Sequence, residues 1–196
     1  MVPPIYKPQL LVLDPRVEGW NELALGVRPG VSVLMLDPGR EGLAQIMGAL
    51  EEAGPVDAVH LVDEGHRGRL RFAATRLDAT SIGSFAEPLA DIGRRIEADG
   101  ALILWSDALG ADSAGHALLS RLARAIGRDV VTAEELLGDP LAEQDWISIA
   151  TGPLGIGPAD AVLPGALARF QSHHALSPTR GKRVAVAESR HAPFVF

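Results

Sequence analysis

The chain of 196 residues contains no cysteine, and this absence excludes disulfides, thiolate metal sites and a cysteine nucleophile. Aromatic residues are scarce, at 5%, and no apolar run approaches the roughly 20 residues that a membrane span needs. Basic residues are also outnumbered, because 18 Lys and Arg stand against 25 Asp and Glu, for a net charge of -7. Since phosphate and anionic lipid attract clustered Lys and Arg, we expect neither a nucleic-acid nor a membrane partner.

The first residues of the chain do not have the pattern of a secretory signal. They contain Pro3, Pro4 and Pro8, and they lack an apolar core followed by a small-residue cleavage site. We therefore expect a cytoplasmic protein. Export by a route that needs no signal stays open.

Short apolar runs alternate with amphipathic stretches along the first 150 residues. Runs of about four to six residues bounded by Gly, Pro and Asp are typical of buried strands. The predicted strands are Gln9–Leu13, Val31–Leu36, Ala58–Val62, Leu102–Trp105, Val130–Thr132 and Trp146–Ala150. Apolar residues at helical spacing predict helices at Glu41–Glu52, Ser81–Ala98 and 114–126. The alternation predicts an α/β fold, a three-layer α/β/α sandwich with a mostly parallel sheet.

Two segments depart from this alternation. Polar and apolar residues alternate over Arg69–Phe72 and again over Thr75–Leu77, which predicts a small inserted β-hairpin. Beyond residue 150, Gly and Pro become frequent and periodicity fades. We interpret 1–150 as an α/β domain and 151–196 as a Gly/Pro-rich C-terminal extension. Its basic run, Arg180–Arg183, is a candidate docking surface for an acidic partner.

The ends of two predicted strands nominate a ligand site, because ligands of open parallel sheets bind outside the carboxyl ends of the strands. One apolar run stops at residue 62 and the other at residue 105, and each is followed by polar residues and glycine. The candidate ligand-binding residues at these ends are Asp63, Glu64, His66, Trp105, Ser106 and Asp107.

Three readings of these residues stay open. Glu64 and Asp107 follow neighbouring strands, so their carboxyl groups are expected within roughly 10 Å, a separation at which carboxylates work as an acid/base pair. They could also form an acidic floor that attracts an amine or a basic group. A metal site of His and carboxylate ligands is the third reading, but the spacing matches no established motif. His60, inside a predicted strand, is expected to be a hydrogen-bonded core residue.

Several stretches also match a known family pattern. They are Leu10-Leu11-Val12-Leu13-Asp14, Val33-Leu34-Met35-Leu36-Asp37-Pro38-Gly39-Arg40-Glu41-Gly42, Gln45-Ile46, Val59-His60-Leu61-Val62, Leu102-Ile103-Leu104-Trp105 and Gln144-Asp145-Trp146. Over roughly residues 9 to 150, the chain resembles an uncharacterised bacterial domain from the N-terminal region of large repeat adhesins. That domain is similar to caspase-like (CHAT-type) cysteine peptidases, and the resemblance implies a caspase-like fold.

The resemblance also implies where catalytic groups would lie. Asp63-Glu64-Gly65 stands where the family pattern is Ser-His-Gly, and Trp105-Ser106-Asp107-Ala108 stands where it is Tyr-Gly-Cys-Asp. The general-base and nucleophile positions are therefore Glu64 and Asp107. A carboxylate is a poor acyl-transfer nucleophile and glutamate is a weaker base than imidazole, so the implied peptidase chemistry does not carry over.

We therefore expect a pseudoenzyme without catalytic residues, metal or cofactor, which binds a peptide or protein partner as an accessory or recognition protein. An exposed sheet edge could bind an extended chain by strand addition. The alternatives are a hydrolase that uses Glu64 and Asp107, alone or with a metal, and a scaffold subunit of a biosynthetic or secretion assembly. A homodimer is an open possibility.

Overall fold

The computed structural model describes residues 7–106, 109–110, 112–133, 146–149 and 157–175. Its strands are β1 (Gln9–Leu13), β2 (Val31–Met35), β3 (Val56–Val62), β4 (Arg69–Phe72), β5 (Thr75–Asp78), β6 (Ile96–Leu104), β7 (Asp129–Ala133) and β8 (Trp146–Ile149). Its α-helices are α1 (Trp20–Leu25), α2 (Gly42–Ala53), α3 (Ala86–Arg95), α4 (Ser113–Ile126), α5 (Pro158–Ala161) and α6 (Pro164–Ala175). A 3-10 turn, Ile82–Phe85, leads into α3.

The main sheet has the strand order β2-β1-β3-β6-β7-β8. The strands from β2 to β7 pair in parallel, and β8 pairs antiparallel with β7. β4 and β5 form a separate two-stranded antiparallel hairpin. Helices flank the sheet on both faces, so the predicted three-layer α/β/α sandwich and the inserted hairpin are confirmed.

The alternation of side chains along β1 divides the core into two halves. Leu10 and Val12 face one half, which α2, α3, α4 and the hairpin cover. Leu11 and Leu13 face the other half, where α1, α5 and α6 pack. All five residues of β1 are buried, as expected for a central strand between two layers of helices.

The boundary between the second predicted helix and the fourth predicted strand lies earlier in the chain than the sequence indicates. α3 ends at Arg95, and β6 begins at Ile96, which pairs with Val56. The register then shifts, and regular pairing resumes where Ala101 meets Ala58. Ile96 is 1% exposed, so burial of this side chain in the sheet overrides the helical periodicity that continues past it.

Part of the predicted C-terminal extension contributes to the core. Phe170 of α6 is buried, and its ring centroid lies 6.2 Å from that of Trp105 in an edge-to-face arrangement. Arg28 Nε donates a 2.7 Å hydrogen bond to the carbonyl of Ala159, which ties α5 to the segment before β2. Helices α5 and α6 therefore pack onto the sheet.

Two observations bear on function classes. A void of about 20 Å³ lies between the sheet and helices α2 to α4, and its lining is entirely apolar. An apolar void of this size stays dry and is too small for a metabolite. Among the residues described, none of the helices combines the length and the apolarity that crossing a membrane would require.

Candidate functional site

Three strand ends meet at one rim of the sheet. β1 lies between β2 and β3, so the chain turns to one side after β1 and to the other after β2, and this reversal opens a crevice at the carboxyl ends. Asp14 follows β1, Asp63 follows β3 and Ser106 follows β6. Backbone hydrogen bonds align these strand ends with one another. Asp14 N–H donates to Val62 O at 3.1 Å, and Trp105 N–H donates to Leu61 O at 2.8 Å.

Asp14 is fully buried, and its carboxylate is the anchor of the rim. Arg16 donates to it from the backbone N–H at 3.0 Å, from Nε at 2.9 Å and from Nη2. Ala73 N–H, at the tip of the hairpin, donates at 2.7 Å. Burial alone would raise the pKa of Asp14, but the hydrogen bonds from Arg16 and Ala73 outweigh it and lower the pKa below its usual range.

Asp63 is the second buried carboxylate, at 5% exposure. Ser106 Oγ donates to its Oδ1, and Arg71 N–H donates to its Oδ2 at 3.0 Å. Burial raises the pKa of Asp63 to about 7, against the lowering effect of these hydrogen bonds. Gly65 passes so close that a Cβ there would lie 2.8 Å from both Asp63 Oδ2 and Ser106 Oγ, so only glycine fits this approach.

Glu64 lies between two guanidinium groups at the solvent side of the rim. Its Oε2 is 3.6 Å from Arg16 Nε and 3.7 Å from Arg71 Nη1. The side chain is 32% exposed. Both guanidinium groups lie within ion-pair distance of the carboxylate, so Glu64 is engaged on two sides.

The structure brings together only part of the candidate set. Asp63, Glu64 and Ser106 share the rim. His66 is exposed and its backbone forms a bridge with Arg69, whereas the buried Trp105 ring points into the half of the core that α6 covers. Asp107 lies outside the described residues, so the predicted separation of Glu64 and Asp107 stays a prediction.

His60 is the hydrogen-bonded core residue that its place in a strand predicts. It is fully buried, its Nε2 lies 2.8 Å from Gln9 Oε1, and Trp105 Nε1 donates to its Nδ1 at 3.2 Å. The acceptor role of Nδ1 places the ring hydrogen on Nε2, which then donates to Gln9. Burial lowers the pKa of His60 to about 3, so the ring is neutral at ordinary pH.

The hairpin closes over the crevice. Its tip is held on both sides, because Ala73 N–H donates to Asp14 and Arg16 Nη2 donates to Ala73 O at 2.8 Å. Ala73 has a φ of 49°, a left-handed conformation that is uncommon for a residue with a Cβ. At the far side, Thr75 Oγ1 accepts from Gly42 N–H at 2.7 Å and donates to Glu41.

Sequence reasoning missed Asp14 and Arg16 as site residues. Asp14 ends a matching stretch, but its run precedes the two strands that drew attention to the rim. The Asp-Pro-Arg sequence directly after a buried strand was the available signal, since a carboxylate at that place needs a partner.

The two buried carboxylates of the rim are saturated with hydrogen bonds from within the chain. The oxygens of Asp14 and Asp63 accept hydrogen bonds from Arg16, Ala73, Arg71 and Ser106. Within the described ranges, no group of three or more His, Asp or Glu side chains could hold a metal ion. The carboxylate of Asp112 caps helix α4 by accepting from Gly115 N–H at 2.8 Å.

Comparison with known families places this geometry in context. The sequence profile of DUF4347, a domain of unknown function, matches residues 10–173. The chain belongs to the DUF4347 family. The match runs through α5 and into α6, so α5 and most of α6 lie within the DUF4347 domain.

No curated protein matches this DUF4347 chain. Among solved structures, the one of BdcA (YjgI) from E. coli is similar to it at 12% sequence identity and a TM-score of 0.33. The similarity covers 61% of this chain and 77% of that one. Likeness at this level carries no argument about function.

Proposed function

We propose that this DUF4347 chain is a non-catalytic domain that binds an extended segment of a partner polypeptide along the edge strand β2. The observation that carries the proposal is the open outer edge of β2. In the described part of the chain, β1 is the one strand that pairs with β2. A free edge offers a row of backbone donors and acceptors to another strand.

The hydrogen bonds at the two ends of β2 identify the backbone groups that face away from β1. Gln9 N–H donates to Gly30 O at 3.1 Å, and Leu36 N–H donates to Leu13 O at 3.0 Å. In a parallel strand, the backbone N–H and C=O groups of alternate residues point to the same neighbouring strand. Those of the even-numbered residues from 30 to 36 therefore point to β1. The backbone N–H and C=O groups of the odd-numbered residues point outward, away from β1.

Val33 and Met35 are the two outward-facing residues available to a ligand. Val31 is the third, but its N–H already donates to Arg28 O at 3.2 Å. The side chains of Val33 and Met35 are 40% and 37% exposed, and they are two of four large apolar side chains exposed among the described residues. A strand added here would gain hydrogen bonds and apolar contacts together.

The length of the edge favours a peptide segment over a second copy of the domain. Five residues of strand span only about 17 Å, whereas a stable interface buries about 800 Å² on each partner. An extended segment with apolar residues at alternate positions uses such an edge fully. A homodimer that pairs β2 with β2 is the alternative outcome of the experiment.

The saturated rim supports the non-catalytic part of the proposal. Glu64, at the position of the general base in the resembling peptidases, is engaged with two arginines, and the hairpin lies across the crevice. We therefore propose a pseudopeptidase of caspase-like ancestry that acts as an accessory or recognition protein in the cytoplasm.

An array of short random peptides tests the proposal. We expect peptides with apolar residues at alternate positions to bind the full chain, and Val33→Pro to reduce their binding about tenfold or more. Proline at 33 removes an outward N–H and leaves the hydrogen bonds to β1 in place, because those come from even-numbered residues. Val33→Thr is the matched control, since it keeps both the backbone donor and the β-branched shape.

Three results would contradict the proposal. They are equal peptide binding by the Val33→Pro variant, a concentration-dependent dimer that blocks the edge, and cleavage of array peptides that Asp107→Ala abolishes. The first would move the binding site away from β2. The second would make a second copy of the chain the occupant, and the third would make the protein an enzyme.

A further inference from the structure

The outer face of the β4–β5 hairpin is an arginine surface on an acidic protein. Along the two strands, Leu70, Phe72 and Leu77 point inward and are buried, so the alternate residues point to solvent. Three of the four outward residues of these strands are Arg69, Arg71 and Arg76. We call these three residues the arginine face.

The pairing register places two of these arginines directly opposite each other. Arg71 pairs with Arg76 across the hairpin, so their Cβ atoms are about 5 Å apart. Like charges at that distance destabilise a hairpin, and a net charge of -7 leaves the protein many acidic residues that could have relieved it. The arrangement therefore needs a reason other than stability.

Acidic neighbours among the described residues leave most of the arginine face unneutralised. Glu64 lies 3.7 Å from Arg71, but it is shared with Arg16. Asp78 is the cross-strand partner of Arg69, yet its Oδ1 accepts from Thr80 N–H and Ser81 N–H, both at 2.8 Å. In the described residues, Arg69 and Arg76 form no ion pair.

The hairpin backbone beneath this face is rigidly held. Asp63 accepts from the backbone N–H of Arg71, and Asp14 accepts from Ala73 N–H. Thr75 ties the start of β5 to helix α2. Binding of a ligand to these guanidinium groups therefore requires little free energy for ordering the hairpin backbone.

We infer that the arginine face binds an acidic polypeptide segment, whose Asp or Glu side chains form paired hydrogen bonds with Arg69, Arg71 and Arg76. The planar guanidinium matches a carboxylate in a two-hydrogen-bond geometry. Alternate side chains of an extended segment lie about 7 Å apart, which matches Arg69 and Arg71 at alternate positions of β4.

The surroundings favour a polypeptide over a nucleic acid. The net charge of the chain repels a long polyanion, and nucleic-acid surfaces need many more cationic groups than three. Outward residues of the two strands include no aromatic ring on which a base could stack. A short acidic segment needs only local positive charge.

Fluorescence anisotropy with labelled oligoglutamate tests this inference on the full chain. We expect oligoglutamate to bind and oligoglutamine not to bind, with affinity falling as salt is added. Arg71→Gln with Arg76→Gln should weaken oligoglutamate binding about tenfold or more, because charge-assisted hydrogen bonds are lost. Arg94→Gln with Arg124→Gln, on helices α3 and α4, is the matched control with the same change of net charge.

A second variant separates recognition by geometry from recognition by charge alone. Arg71→Lys with Arg76→Lys keeps both charges but loses the forked donors, so binding should fall several-fold. Equal weakening by the hairpin and control pairs, or no oligoglutamate binding by the unmodified chain, would overturn the inference. Tighter binding of oligothymidylate that depends on Arg71 and Arg76 would overturn the choice of partner. Val33→Pro should leave oligoglutamate binding unchanged, so this inference and the strand-addition proposal fail separately.

Discussion

Two buried carboxylates at the strand ends, Asp14 and Asp63, sit in opposite electrostatic environments. Asp14 has a guanidinium beside it, and the hydrogen bonds from Arg16 hold it ionised despite its burial. Asp63 has neutral donors, Ser106 and a backbone N–H, together with the negative charge of Asp14 nearby. One carboxylate is therefore a permanent charge, and the other changes its protonation near pH 7.

Asp63→Asn tests this assignment through the pH dependence of stability. The folded pKa of Asp63 is raised from 3.8 to about 7, so the folded state binds its proton more tightly than the unfolded state does. The contribution of Asp63 to stability is therefore complete below pH 3.8, declines as the pH rises to about 7, and is constant above. Asn does not titrate, and it still offers an acceptor to Arg71 N–H and a donor to Ser106 Oγ.

The measurement is the free energy of unfolding in urea for both proteins at about pH 5 and about pH 8. The stability of the unmodified chain relative to Asp63→Asn should fall by about 1 kcal/mol or more between the two. His60 titrates in both proteins, so its effect cancels in the difference. A difference that stays constant with pH would show that Asp63 has an ordinary pKa in the fold.

At the scale of the element, the hairpin depends on a carboxylate that lies 59 positions away from its tip. Asp14→Asn replaces an ionised group by an amide, which weakens the pairing with Arg16 and removes one acceptor. We expect a loss of about 2–4 kcal/mol in unfolding free energy. Amide exchange at Ala73 should accelerate more than exchange in the strands of the main sheet.

Asp37→Asn is the matched control for the hairpin anchor. Asp37 also follows a strand, β2, and loses the same charge, but it is exposed and its Oδ1 accepts only from Gly39 N–H in the described structure. We expect a change within about 0.5 kcal/mol. Similar losses for Asp14→Asn and Asp37→Asn would mean that the hairpin is held by its apolar face alone.

Helix packing offers a second prediction for the elements. A Cβ on Gly93 of α3 would lie 1.7 Å from the carbonyl oxygen of Ile126 at the end of α4, so Gly93→Ala must push the two helices apart. We expect a loss of about 2–3 kcal/mol. Gly48 of α2 has open space around its Cβ position, and Gly48→Ala should stabilise by about 0.5–1 kcal/mol.

Thermal and urea unfolding of the two glycine variants provide the check. Opposite signs for Gly93→Ala and Gly48→Ala are the expected result. A neutral Gly93→Ala variant would show that α3 and α4 do not approach as closely as the structure places them.

At the scale of the whole molecule, local pattern predicted elements better than it predicted their arrangement. The apolar run Gln9–Leu13 and the alternating hairpin residues carry their own signals, and both elements form as predicted. Helix α1 was not predicted, because it has only six residues and the residue before it, Gly19, has no side chain that could cap the helix. Its place in the fold comes from burial of Leu23 against the sheet.

The site shows the same division between local and long-range information. Polar residues after β3 and β6 predicted that Asp63, Glu64 and Ser106 lie at one rim, since the end of a buried strand is visible in sequence. Their partners were not visible, because Arg16 and Arg71 approach Glu64, and the Arg71 N–H approaches Asp63, only through strand order and the fold of the hairpin. In place of the acidic floor that the sequence predicts, the described rim is a network of hydrogen-bonded carboxylates with arginines beside them.

Amide hydrogen exchange at β2 tests the central claim most directly. With the tightest peptide from the array bound to the full chain, Val33 and Met35 N–H should become protected, since both face outward and have no described partner. Ser32 and Leu34 N–H, which face β1, should change little. This alternation of protection along one strand is the result that strand addition predicts. Protection confined to the hairpin or the strand-end rim, with Val33 and Met35 unchanged, would contradict it.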